Sequence, residues 1–184
     1  KGLAGLLKGR KVTVYDGIGT LGPNRTVTVK GADGATTELV GTHVVLASGS
    51  VPRTIPGFEV DGRLVLTSDE VFELTSLPQR VAVIGGGYIG CEFASMFCDL
   101  GSQVTILEAL PEILAGVDVD VVKQVRRSFR KVGMDVRSGV KVTGHTPGES
   151  GTTVHLDGGD DLDVDAVVVS VGRRPLSDTL GLGG

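Results

Sequence analysis

The sequence predicts an α/β fold in which an antiparallel β segment precedes a domain that has a parallel sheet with crossover helices and a β-meander. Short apolar runs separated by turn residues fill the first third of the chain. Apolar runs then alternate with stretches of helical periodicity. The chain also has 29 glycines in 184 residues, scattered as tight turns require. We therefore expect two domains, residues 1–60 and residues 61–184.

The N-terminal region predicts an antiparallel meander, with turns at Asn24 and at Asp33 followed by Gly34. Its strands are expected at residues 12–15, 26–29, 37–40 and 43–47. The two prolines of residues 49–57 predict an extended segment that crosses between the domains.

The second region predicts alternating strands and helices. A strand at residues 81–84 leads to a helix at 88–100, and a strand at 104–107 leads to a helix that begins at Asp118 and ends before Gly133. Further strands are expected at residues 140–143, 153–156 and 164–171.

Composition excludes several classes of protein. The net charge of −4 gives no general electrostatic case for nucleic-acid binding. The apolar runs are far shorter than the roughly 20 residues of a membrane span. The histidines stand alone, so no metal site is expected. Cys91 and Cys98 are about 10 Å apart along a predicted helix, too far for a disulfide, which favours a reducing, cytoplasmic compartment.

A glycine-rich turn between the strand at 81–84 and the following helix predicts a dinucleotide-binding, Rossmann-like unit. Gly85 permits a sharp turn, Gly87 lets a pyrophosphate approach the backbone, and Gly90 allows close packing of the helix on the strands. The start of the helix then offers free N–H groups to phosphates.

Glu108, 18 residues after Gly90, follows the second strand of this unit. A carboxylate there can accept hydrogen bonds from ribose hydroxyls and repels a 2′-phosphate. The next residue is Ala109, so no adjacent arginine offsets this repulsion. The sequence therefore predicts NAD(H) in preference to NADP(H).

Residues 46–52, 83–93 and 171–175 resemble, in the same order, motifs of the pyridine nucleotide–disulfide oxidoreductases. The pattern is most similar to that of the dihydrolipoyl dehydrogenases, and the resemblance spans essentially the whole chain. It implies a split FAD-binding domain, represented here by its C-terminal part, followed by the NAD-binding domain.

The resemblance also implies roles for individual residues. The NAD contacts would be Gly85, Gly86, Gly87, Tyr88, Ile89, Gly90, Glu92, Glu108, Val142 and Gly172. Among these, Glu92 would reach towards the nicotinamide and Val142 would lie near the adenine. The FAD contacts would be Gly19, Ser48, Gly49 and Ser50, which form an incomplete FAD site. Cys91 stands where the family usually has an aliphatic residue, and we interpret it as a core residue.

Several family features are missing from the 184 residues: the first FAD-binding glycine motif, the redox pair of cysteines spaced C-x4-C, and the C-terminal His–Glu pair. We therefore expect the chain to be the middle of a homodimeric flavoenzyme. That parent enzyme would oxidise the dihydrolipoyl groups of 2-oxoacid dehydrogenase complexes through its redox-active disulfide, FAD and NAD+. Alone, the chain would bind NAD without turnover and would contribute no catalytic residue.

Two alternatives remain open on the sequence. A sister flavoprotein, such as a mercuric reductase, a soluble transhydrogenase or a glutathione-reductase-like enzyme, shares these motifs. A non-catalytic NAD-sensing module would use the same glycine turn and Glu108.

Overall fold

The computed structural model describes residues 2–178 and 180–182 and divides into two units. The N-terminal unit comprises residues 1–50 and 175–184, and the central unit comprises Val51–Arg174. The division differs from the expected one at residue 60. Residues 51–60 lie with the central unit because Phe58 is fully buried in its core and the Arg53 N–H donates to the Gly172 carbonyl at 3.0 Å.

The helices and strands follow each other in a mixed order. In the chain they are α1 (Gly2–Gly9), β1 (Ile18–Leu21), β2 (Thr26–Lys30), β3 (Thr36–Val40), β4 (Ser50–Pro52), β5 (Val65–Leu66), β6 (Arg80–Ile84), α2 (Tyr88–Asp99), β7 (Gln103–Glu108), α3 (Val119–Lys131), β8 (Asp135–Ser138), β9 (Val142–Pro147), β10 (Thr152–Leu156), β11 (Leu162–Val164), β12 (Ala166–Val169) and β13 (Arg173–Pro175). Short 3₁₀ helices occupy Pro23–Arg25 and Glu70–Glu73.

The N-terminal unit contains an antiparallel sheet in the order β1-β2-β3, which confirms a β-meander. Its first strand is β1, whereas residues 12–15 were expected to form it, and residues 43–47 lie outside the strands. The apolar side chains of residues 12–15 remain largely exposed, so burial does not favour a strand there. Helix α1 was not predicted and buries none of its residues.

A five-stranded parallel sheet in the order β5-β12-β6-β7-β8 forms the centre of the central unit. Its strands match the predicted alternation of strand and helix. The Asp118 carboxylate caps α3 by accepting from the N–H groups of Asp120 and Val121, as Asp at this position predicts.

The apolar run at residues 164–171 does not form one strand. Val164 ends β11 of a second, antiparallel sheet in the order β11-β10-β9, and β12 begins at Ala166 in the parallel sheet. Asp165 lies between them, and its carboxylate accepts from the backbone N–H of Arg80 at 2.8 Å and from the Arg80 guanidinium at 2.6 Å. A polar anchor therefore interrupts the run where the chain changes sheets.

The parallel sheet has a core on each face. Val81 and Val83 of β6 pack among apolar residues of α2 and α3, including Phe97 and Phe129. Ala82 and Ile84 point to the other face, where the core includes Phe58 and residues of β10. This alternation along one strand buries β6 on both sides and fixes the position of the glycine turn at its carboxyl end.

Candidate nucleotide-binding site

A groove of about 840 Å³ lies at the carboxyl ends of β6, β7 and β12, within the central unit. This is the edge of a parallel sheet at which open α/β folds bind ligands. The volume is within the range of small-molecule sites. The groove brings together eight of the predicted residues: Gly85, Gly86, Gly87, Tyr88, Ile89, Glu108, Val142 and Gly172.

The glycines of the turn have different environments. Gly85 has φ +102°, and a Cβ on it would lie 2.4 Å from the Ser170 carbonyl oxygen. A Cβ on Gly90 would lie 1.9 Å from the Gly85 carbonyl oxygen, so the close packing of helix on strand requires glycine there. A Cβ on Gly87 would meet nothing within 4 Å. The protein itself thus leaves open the face of Gly87, which lines the groove.

Helix α2 begins directly at the groove. Gly87 is its N-cap, and the Cys91 N–H donates to the Gly87 carbonyl at 2.9 Å. The N–H groups of the three residues between them therefore have no acceptor within the helix. Together with the helix dipole, these donors suit an anion such as a phosphate.

The Glu108 carboxylate is held in place by two backbone N–H groups. Its Oε2 accepts from Gly86 at 2.6 Å, and its Oε1 accepts from Leu110 at 2.7 Å. Each carboxylate oxygen retains a further lone pair. The side chain can therefore accept hydrogen bonds from two neighbouring hydroxyl groups of a ligand without moving.

The peptide of Gly86 is held on its other side as well. Its carbonyl accepts from the Leu114 N–H at 2.7 Å and lies 3.5 Å from the Cys91 thiol. A Cβ on Gly86 would lie 2.5 Å from a methyl group of Ile113. Burial, reinforced by the charges of Glu108 and Glu92, raises the pKa of the Cys91 thiol to about 11. Cys91 thus packs beneath the turn as a neutral thiol.

The other predicted residues lie outside the groove. Gly90 is buried behind the turn, and Glu92 is exposed on α2. Gly19, Ser48, Gly49 and Ser50 belong to the N-terminal unit, where Gly19 pairs with Val29 and Gly49 has φ +77°.

Sequence reasoning missed other residues that line the groove, including Leu110, Ala115 and Lys141. They lie in loops, and contacts between distant parts of the chain bring them to the groove. For example, the Val140 N–H donates to the Glu108 carbonyl at 2.9 Å. No local pattern in the sequence marks such residues.

Within residues 2–178 and 180–182, no helix has the length and apolar character needed to cross a bilayer. In the same part of the chain, no three His, Cys, Asp or Glu side chains are grouped so that they could hold a metal ion.

Comparison with known proteins connects this site to a family. The model of the pyridine nucleotide-disulphide oxidoreductase family matches residues 2–183. The chain belongs to this family. Its members are oxidoreductases that bind FAD and NAD(P). The expected family and fold class are therefore confirmed.

Individual relatives are similar along nearly all of the chain. The chain is 38% identical to a dihydrolipoyl dehydrogenase of Chlamydia pneumoniae and 37% identical to a leghemoglobin reductase of Vigna unguiculata. Each alignment covers 99% of this chain. The structure of LpdA from Mycobacterium tuberculosis matches 98% of the chain with a TM-score of 0.88 and 27% identity. The chain covers 39%, 36% and 41% of these three proteins, respectively.

Proposed function

We propose that the chain provides the NAD(H)-binding part of an FAD-dependent dihydrolipoyl dehydrogenase. The observation that carries this proposal is the groove, in which the glycine turn, the start of α2 and the anchored Glu108 carboxylate converge. Membership of the family and the similarity to a dihydrolipoyl dehydrogenase support it.

In this proposal, each part of the groove binds one part of NAD(H). The pyrophosphate lies against Gly87 and the first N–H groups of α2. It fills the space that a Cβ would occupy if residue 87 were not glycine. Glu108 accepts hydrogen bonds from the hydroxyls of the adenosine ribose, and Val142 lies beside the adenine. Tyr88, Ile89 and the Gly172 backbone border the nicotinamide end, with Glu92 on the adjoining turn of the helix.

The residues of this chain bind and orient NAD(H), and bound NAD+ accepts a hydride. FAD would contact Gly19, Ser48, Gly49 and Ser50 in the N-terminal unit. The left-handed backbone of Gly49, whose open face a Cβ would occupy, fits the close approach of a ligand. These four positions would form an incomplete FAD site.

The parent enzyme would be a cytoplasmic homodimer acting on the lipoyl groups of 2-oxoacid dehydrogenase complexes. We expect this chain alone to bind NAD(H) without turnover. Its only cysteines, Cys91 and Cys98, do not have the C-x4-C spacing of the family's redox pair. They are also free thiols.

A sister flavoprotein reductase is the second candidate. The leghemoglobin reductase is nearly as similar to the chain as the dihydrolipoyl dehydrogenase, at 37% against 38% identity. Assay of a longer protein that contains this chain with dihydrolipoamide tests the first candidate, which requires that this substrate be oxidised with reduction of NAD+. A longer protein without this activity would favour the second candidate.

Titration of the purified chain with NADH and NADPH, followed by nicotinamide fluorescence, tests the groove directly. We expect saturable NADH binding and weaker NADPH binding. Gly87→Ala should weaken NADH binding about tenfold or more at unchanged thermal stability, because its Cβ meets only the ligand.

Gly159→Ala is the matched control. A Cβ at Gly159 would make an ordinary contact of 3.6 Å outside the groove, so NADH binding should not change. A folded chain that binds no NADH, or a Gly87→Ala variant with full affinity, would contradict the proposed site.

A further inference from the structure

Lys141 lies in the loop between β8 and β9 and lines the groove near Glu108. Its backbone is fixed on both sides. The N–H of the preceding residue, Val140, donates to the Glu108 carbonyl at 2.9 Å, and the Lys141 carbonyl accepts from the Asp157 N–H at 2.8 Å. Lys141 is therefore held beside the strand end that carries Glu108.

Among the residues that the structure describes, three charged ones line the groove: Glu108, Lys141 and Arg173. Both oxygens of Glu108 accept backbone hydrogen bonds, and the Arg173 guanidinium donates to the Ser68 hydroxyl at 3.0 Å. Lys141 is exposed and, among the side chains that the structure describes, forms no ion pair. Its ammonium group is thus available to a ligand.

We propose that Lys141 sets how strongly the groove discriminates between NADH and NADPH. This inference rests on the proposed function. Glu108 repels a 2′-phosphate on the ribose that it binds, and Lys141 supplies a positive charge at the same end of the groove. Selectivity is then the balance of two opposite charges rather than the effect of Glu108 alone. The 2′-hydroxyl of NADH carries no charge, so Lys141 has little effect on NADH binding.

The test compares Lys141→Ala, Glu108→Gln and the double variant with the unaltered chain, using NADH and NADPH as probes. Lys141→Ala should weaken NADPH binding about fivefold and change NADH binding less than twofold. Glu108→Gln should strengthen NADPH binding, and the double variant should lose part of that gain. The NADPH affinity should also fall more steeply with salt when Lys141 is present.

Lys131→Ala, which removes an exposed lysine of α3 outside the groove, is the matched control and should leave both affinities unchanged. Lys141→Ala overturns the inference if it leaves the ratio of the NADH and NADPH affinities unchanged while NADH still binds. A folded, unaltered chain that binds neither dinucleotide would overturn the proposed function itself.

Discussion

The thiol of Cys91 lies against the carbonyl of Gly86, the central residue of the glycine turn. The Gly86 N–H donates to the Glu108 carboxylate, the Gly86 carbonyl accepts from the Leu114 N–H, and Cys91 fills the space beneath. A single peptide thus connects the acidic residue, the following loop and the helix. We interpret Cys91 as a packing residue that supports this peptide.

Cys91 should react with iodoacetamide far more slowly than Cys98. Its pKa of about 11 keeps almost all of the thiol protonated at pH 7.5, and only the thiolate attacks the reagent. Cys91 is 7% exposed, whereas Cys98 is partly accessible. Mass spectrometry of Cys91→Ala and Cys98→Ser variants would give the two rates separately. Equal rates would show that the turn opens readily.

The sequence alone indicates Glu108 as a groove residue but does not indicate Lys141. Glu108 follows an apolar strand at a spacing that can be counted from the glycines. Lys141 reaches the groove only because the Val140 N–H donates to the carbonyl of Glu108, a residue 32 positions earlier in the sequence. A contact of this kind leaves no local pattern.

At the scale of elements, the link between Asp165 and Arg80 joins the start of β6 to the chain entering β12. Hydrogen bonds from the Arg80 guanidinium lower the pKa of Asp165. Burial acts in the opposite direction, and the backbone N–H of Arg80 lowers the pKa further. A lowered carboxyl pKa stabilises the folded state at pH values above the ordinary pKa of 3.8. This contribution is lost as the pH falls through the lowered value.

Asp165→Asn should reduce the free energy of unfolding by about 1 kcal/mol at pH 7. The expected loss is small because the Arg80 side chain is 44% exposed, so solvent screens the ion pair. The difference from the unaltered chain should shrink below pH 3.8. Urea unfolding at pH 7 and at pH 3 measures both values. Asp160→Asn, in the exposed turn before β11, should have little effect at either pH. A difference that does not depend on pH would exclude the ion pair as its source.

The elements that sequence reasoning predicted best are those buried on a defined face. Strand β6 and helices α2 and α3 show the apolar spacing that their burial requires, and a capping Asp118 or a closing glycine marks their ends. Helix α1 buries nothing, so no constraint on its sequence reveals it. The prediction of a single strand at 164–171 was wrong because the apolar residues of this run are buried in two different sheets.

At the scale of the whole molecule, the buried apolar residues of the described chain all lie between Phe58 and Val169, within the central unit. Each fully buried large side chain contributes about 1.5–3 kcal/mol. In the N-terminal unit, several large apolar side chains are exposed, including Leu3, Val14 and Ile18. The central unit therefore supplies most of the stability.

Residues 51–174 expressed alone should fold cooperatively and bind NADH with the affinity of the longer chain. They contain both apolar cores and every residue of the groove. Thermal unfolding by circular dichroism and NADH titration of the two proteins provide the comparison. A segment that unfolds non-cooperatively, or binds NADH much more weakly, would show that the N-terminal unit supports the site.

The hydrogen bond of 3.0 Å from the Arg53 N–H to the Gly172 carbonyl places the two ends of the central unit side by side. A segment with adjacent ends can be inserted at a single site of a host protein, where one peptide bond is replaced by two junctions. Its removal leaves a gap that a short peptide can close. The same geometry permits circular permutation, with the old ends joined and new ends opened in the turn between β9 and β10. The central unit therefore has the geometry of a segment that can be gained or lost as one piece.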